Sequence, residues 1–268
     1  MLKDITFGQY YETKSLLHRT DPRIKILVMI LLIVFIFVTG NYVSLTVATV
    51  SVFTVLAVSK VPFKLYIKNM KAILPVLIFT GLINMFYGEG EPLVDFWIFE
   101  ITLDGISRAV FMALRIALLI FLSSSLTYTT TPNDLTDAIE SLLSPLKFIG
   151  LKSAVHTLAM MMTIALRFIP TLIEEAEKIM NAQKARGADL ESGGLLDRVK
   201  ALIPILIPLL LSSVRRAYEL AEAMECRCYN GGEGKTRMKQ MRLSMVDFWI
   251  SFIVIIICGL ILTTNILF

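Results

Sequence analysis

The chain has 268 residues, of which 56% are hydrophobic and only 18% charged, and its mean hydropathy is +0.71. Soluble domains carry about 25% charged residues, so an ordinary cytosolic enzyme is excluded. Twenty-six Lys+Arg against 22 Asp+Glu leave a net charge of +4, too slight a bias to make nucleic acid a partner, so the placement of the charges matters more than their sum.

Asp4, Glu12, Lys14 and Arg19 precede the first long apolar run. A cleaved signal peptide has a compact basic-then-apolar order, so the apolar runs are expected to belong to the mature fold. The first, Ile26 to Ser59, is too long for one straight helix. Thr39-Gly40-Asn41 near its middle reads as a tight turn, which gives two spans, the second ending at Lys60-Val61-Pro62. A third is expected over Ala72 to Gly88, a fourth over Ile116 to Asn133 extended back to about Arg108, and a fifth over Phe248 to Phe268. Lysines and arginines before the first span, and Lys60, Lys64, Lys68 and Lys71 before the third, mark cytoplasmic sides. The acidic loop Glu89, Glu91, Asp95, Glu100 and Asp104 marks the outside. The expected topology is N-terminus cytoplasmic and C-terminus outside.

Between the fourth and fifth spans, Thr131-Pro132-Asn133-Asp134 reads as a helix start capped by Thr or Asn, for a helix ending near Pro145 to Gly150. Two long helices follow, about Lys152 to Ala185 through Pro170 and about Leu195 to Cys226 through Pro204 and Pro208. Their uncharged runs, Ser153 to Leu166 and Ala201 to Val214, are 14 residues each, which suits helices lying on or under the membrane face. The fold class is therefore an all-α integral membrane protein, with about five transmembrane helices and three amphipathic or cytoplasmic helices inserted before the last span. Residues 1–130 form a four-span membrane domain, 131–245 a cytoplasmic or interfacial domain with two Arg-tipped helices, and 246–268 the final span.

The inserted segment repeats. Setting Arg186 over Arg227 aligns Ala182 with Ala223 and Ala176 with Ala217, and each arginine ends a helix before a glycine-containing turn. A cation at a helix C-terminus followed by glycine is ordinary dipole chemistry. Small residues flank both, however: Ala185 and Gly187, then Cys226 and Cys228. They leave each guanidinium free to enter another surface, and its planar fork suits a partner carboxylate.

At these residues the sequence resembles the membrane-embedded T component of energy-coupling factor (ECF) transporters, prokaryotic ABC-type importers of vitamins and transition metals. The matching stretches are Arg167-Phe168-Ile169-Pro170, Glu174-Glu175-Ala176 to Arg186-Gly187, and Arg215-Arg216-Ala217 to Cys226-Arg227-Cys228-Tyr229. The resemblance implies a non-catalytic subunit in the cell membrane of a prokaryote. It also implies that Ala185, Arg186 and Gly187 form one tip and Cys226, Arg227 and Cys228 the other, inserted into two ATP-binding-cassette ATPase subunits, while the helices carry a substrate-binding membrane S component. The second tip departs from Ala-Arg-Gly, and cysteine tolerates positive φ less well than glycine.

Gly231-Gly232-Glu233-Gly234-Lys235-Thr236 mimics a phosphate loop, but Tyr229 stands where the first Walker glycine belongs and no strand precedes it. His18 and His156 lie far apart and Cys226-x-Cys228 lacks zinc-knuckle spacing, so neither a metal nor another cofactor is called for. Arg115 is the one ionisable residue well inside a predicted span, and is read as snorkelling outward or pairing with a partner protein, or as binding a substrate anion. The rival function is a self-contained permease, which would need polar or broken spans at midplane and a repeat within the membrane part.

Overall fold

The computed structural model of the chain describes residues 10–86, 92–96, 99–145, 152–188, 194–230, 241 and 243–267. They form two compact units, one from the described residues of Gly8–Leu135 with Gln240–Phe268, the other from those of Thr136–Lys239. The elements in chain order are α1 (Leu16–Arg19), α2 (Pro22–Val38), α3 (Tyr42–Ser59), α4 (Phe63–Phe86), β1 (Pro92–Phe96), β2 (Phe99–Thr102), α5 (Leu103–Thr129), α6 (Pro132–Leu142), α7 (Lys152–Ala185), α8 (Leu195–Cys226) and α9 (Met245–Leu267). The protein is an all-α membrane protein. Windows long and apolar enough to cross a bilayer occur in α3, α4, α5, α7, α8 and α9, and α2 is a further apolar helix of 17 residues.

The predicted turn at Thr39-Gly40-Asn41 is the break between α2 and α3. Two expectations were too short. Helix α4 starts at Phe63 rather than near Ala72, because Lys64, Lys68 and Lys71 lie on its first turns, where long cationic side chains are compatible with helical backbone. Likewise α7 and α8 hold longer apolar windows than their uncharged runs indicated, since a crossing window accommodates one or two charges. The acidic loop contains an antiparallel pair, β1 with β2, that was not anticipated; its alternating Val, Phe and Ile residues supply the strand pattern.

The larger unit packs α2, α3, α5 and α9 around one apolar core. Leu32 and Ile36 of α2 are 1% and 0% exposed and lie with Ala48 and Val52 of α3, Leu118 and Leu122 of α5, and Cys258 and Ile261 of α9. Opposite faces of the same helices leave Phe37, Val50, Leu114 and Ile256 exposed, as hydrocarbon surroundings allow. Helix α4 joins through Gly105 of α5. A Cβ there would stand 2.4 Å from the Met85 carbonyl oxygen, so only glycine permits this close approach.

Side chains from one helix satisfy the ends of another. The Lys25 ammonium, 3% exposed, donates to the Thr129 carbonyl at 2.9 Å and to Thr130 Oγ1 at 3.2 Å, while the Tyr11 amide donates to the Tyr128 carbonyl at 2.9 Å. Together they close the C-terminus of α5. Ser244 and Asp247 form a capping box at the start of α9: Ser244 Oγ accepts from the Val246 amide at 3.1 Å and Asp247 Oδ2 from the Ser244 amide at 2.7 Å. The other Asp247 oxygen accepts the Asp21 amide at 2.8 Å, just ahead of α2. At the far end of α2, Asn265 donates to the Val38 carbonyl at 3.2 Å and accepts the Gly40 amide at 2.9 Å. Arg115 donates to the Thr39 carbonyl, with its guanidinium 4.8 Å from the Phe111 ring centroid. Arg115 thus reaches toward the α2–α3 turn, the direction anticipated for snorkelling, and finds a carbonyl of its own chain there. It closes a helix end inside its own bundle.

Because Asp247 is buried and serves two backbone amides, Asp247→Ala strands both, at about 2–4 kcal/mol in total. Asp247→Asn keeps one acceptor oxygen and should lose about half as much. Thermal unfolding of the purified chain in detergent checks the order wild type, Asn, Ala.

Candidate functional site

The smaller unit is dominated by α7 and α8, and both predicted helices have the bounds read from the sequence. Each ends in the same hydrogen-bonded turn. On α7 the Gly187 amide donates to the Lys184 carbonyl and the Ala188 amide to the Gln183 carbonyl, both at 3.0 Å. On α8 the Cys228 amide donates to the Glu225 carbonyl at 2.9 Å and the Tyr229 amide to the Met224 carbonyl at 3.1 Å. These are two Schellman motifs in the same register. Arg186 and Arg227 occupy the C-cap position, one residue past the last helical one, and the next residue takes left-handed backbone, φ 86° at Gly187 and φ 54° at Cys228. All six residues, Ala185, Arg186, Gly187, Cys226, Arg227 and Cys228, are exposed.

The alignment of Arg186 with Arg227 therefore describes a shared local geometry. Its imperfect member is Cys228, which holds a conformation that costs a residue with a Cβ about 1–2 kcal/mol. Nothing lies within 4 Å of a Cβ built on Gly187, so the cost of a side chain there is conformational rather than steric.

The helices run antiparallel. Glu175 meets Ser212 and Arg216, Gln183 Nε2 donates to the Pro204 carbonyl at 3.4 Å, and Ile164 and Phe168 share a cleft of about 300 Å³ with Leu220 and Met224. As numbers rise on α7 they fall on α8, so the two tips project from opposite ends of the pair. This separation was not legible in the repeat. Sequence reasoning also assigned no role to Glu175, Ser212 and Arg216. A usable signal existed, because the register that superposes the arginines sets Glu175 on Arg216, opposite charges at equivalent positions.

Also within the smaller unit, His156 Nδ1 of α7 lies 3.3 Å from Glu140 Oε1 of α6. At the end of the larger unit's first segment, Thr131 Oγ1 accepts the Asp134 amide at 3.2 Å, making Thr131 the cap of α6. The Gly231 to Thr236 turn lies outside the described residues. Among the described residues no group of three or more His, Cys, Asp or Glu side chains is placed to hold a metal.

A bundle of apolar helices with an antiparallel pair of Arg-tipped helices inserted before the last one defines a multi-pass membrane protein. A family described as CbiQ, cobalt transport protein, matches residues 13–238. The chain is 49% identical over 256 residues to the energy-coupling factor transporter transmembrane protein EcfT of Ruminiclostridium cellulolyticum, covering 96% of this chain and 95% of that one. It is 48% identical over 264 residues to the EcfT of Clostridium kluyveri, covering 98% and 95%, and 47% over 247 residues to that of Acidaminococcus fermentans, covering 92% and 91%. The chain belongs to this family of energy-coupling factor transporter transmembrane proteins, and it is a transport component.

The unequal third residues of the two tips give a test. Cys228→Gly should slow amide hydrogen exchange in the last turn of α8, and Gly187→Ala should speed it in the last turn of α7, each by the equivalent of about 1 kcal/mol. Exchange at residues 186–188 and 227–229, read by mass spectrometry, checks both.

Proposed function

We propose that this chain is the non-catalytic coupling subunit of an importer, transmitting ATP-driven closure of two ATP-binding-cassette ATPase subunits to a substrate-binding membrane S component for vitamin or transition-metal uptake. The observation that carries this reading is the pair of like tips at opposite ends of one helix pair. Glu175 and Arg216 each stand eleven residues before their tip arginine, so at 1.5 Å per residue the tips lie roughly 30 Å apart along the pair. Such a spacing suits two docking grooves rather than one. Each exposed guanidinium can enter an ATPase groove and pair with a carboxylate there.

The exposed apolar residues of α8, among them Leu206, Leu210 and Tyr218, offer a surface against which a membrane partner can pack. Substrate choice would then reside in that partner, and residues 131–245 would form the coupling domain between the four-span part and the final span.

Two tips at opposite ends of an antiparallel pair can both reach the cytosol only if the pair lies along the membrane face. Were α7 and α8 to span, one tip would emerge outside, beyond the reach of an ATPase. A spanning hairpin adds two crossings and leaves the termini where they were, so the orientation with the N-terminus inside and the C-terminus outside holds in either case.

Labelling with an impermeant thiol reagent in a cysteine-free background separates the two placements. Ala188→Cys and Asn230→Cys should both label only after permeabilisation, as should Lys68→Cys, and Ile266→Cys should label in intact cells. Labelling of Ala188→Cys in intact cells alongside protection of Asn230→Cys overturns docking of both tips in the cytosol.

The tips themselves are tested by charge. Truncating one arginine strands a partner carboxylate at about 2–5 kcal/mol, Lys at the same position should be intermediate, and Arg186→Glu with Arg227→Glu should release the ATPases. Substrate binding by the S component should persist. Co-purification and vesicle uptake, with substrate binding measured separately, read the outcome. Retention of both ATPases and normal uptake by the double Glu variant would leave the arginines as helix-terminal cations without a partner.

A further inference from the structure

Among the described residues, one ion pair joins α7 to α8. Arg216 Nη2 stands 2.9 Å from Glu175 Oε2, and the Ser212 hydroxyl donates to the other oxygen of the same carboxylate. Two features set this contact apart from an incidental surface pair. It occupies equivalent positions of the repeat, eleven residues before Arg186 and Arg227, and it divides each helix into a proline-containing and a proline-free part. Pro170 precedes Glu175, and Pro204 and Pro208 precede Arg216, whereas residues 176–186 and 217–227 contain no proline. Mid-helix proline removes a backbone hydrogen bond and allows bending, so the segments leading to the tips are the stiff ones.

The apolar surfaces around the contact do not fix an axial position by themselves. The cleft between Phe168 and Leu172 on α7 and Leu220 and Met224 on α8 is lined mainly by apolar side chains, the adaptable Met224 among them, whose contacts are non-directional and tolerate an axial shift better than a charge pair does. A charge pair assisted by a hydroxyl is directional, and slipping one turn, about 5.4 Å, would break it.

We propose that Glu175, Ser212 and Arg216 form the pivot that locks the register of α7 against α8, so that displacement of one tip is delivered to the other arm instead of being lost as sliding. Glu175 and Arg216 are thus positioning residues. They touch neither ATPase nor substrate, and their loss should spare assembly while uncoupling it.

The consequence for transport rests on the coupling reading above, whereas the consequence for tip geometry does not. Two measurements keep them distinguishable. The first uses the full chain alone in lipid nanodiscs, with spin labels at Ala188 and Asn230 in a cysteine-free background and pulsed electron paramagnetic resonance distances. Wild type should give one narrow distribution, Glu175→Arg and Arg216→Glu each a broadened or shifted one, and the double exchange should restore the narrow one. Glu175→Gln and Arg216→Gln, which avoid like-charge repulsion, should broaden it less. The second uses the chain co-expressed with its ATPases and S component: uptake per ATP hydrolysed should fall about three- to tenfold in the single reversals and recover in the exchange, with both ATPases still co-purifying. Unchanged distances in both single reversals, or a double exchange that restores neither distance nor uptake per ATP, overturns the pivot. Restored distances in a chain that never retains ATPases uphold the pivot and sink the coupling reading instead.

Discussion

The constraint on which this structure depends is that helix ends buried in a packed bundle or in hydrocarbon have no water for their last amides and carbonyls. Each end must be closed by something the chain itself supplies. In the larger unit the closures come from other helices: Lys25 of α2 on the end of α5, Asp247 of α9 on the start of α2, and Arg115 of α5 with Asn265 of α9 on the end of α2. The charged and amide groups that would be costly in hydrocarbon are spent where backbone groups would be equally costly, and each offsets the other. Apolar packing alone would leave these helices free to slide and rotate. The polar closures fix their heights.

The smaller unit solves the same problem locally. Its two long helices end in backbone motifs, with left-handed Gly187 and Cys228 turning the chain so that the next amide reaches back. No other helix is needed to close these ends, which leaves Arg186 and Arg227 exposed and unencumbered. A helix end that caps itself can serve as a docking element, and one capped by a neighbour cannot. That physical difference separates the scaffold from the candidate site, although both are built from the same apolar helices.

The sequence was most informative where the cause is local. Helix bounds for α7 and α8, the break at Thr39 to Asn41, the Thr131 cap and the equivalence of the two tips all follow from capping residues, glycine and periodicity within a few positions. The capping box at Ser244-Met245-Val246-Asp247 is a local signal of the same kind that went unread, and the alternating residues of β1 and β2 are another. Arg115 was visible as an exception in an apolar run, but its partner is a carbonyl on another helix, and nothing in its neighbours in sequence names Thr39.

By itself, then, the sequence determined an all-α membrane protein, the bounds of α7 and α8, the break between α2 and α3, and two like arginine tips, because these rest on interactions between residues a turn apart. Tertiary structure alone decided that Asp247 serves two helices, that Gly105 lies against Met85, and that the tips stand at opposite ends of one pair. Each of those depends on the direction and register in which helices pack, which is set by contacts between residues far apart in the chain and leaves no trace in the spacing of either partner alone.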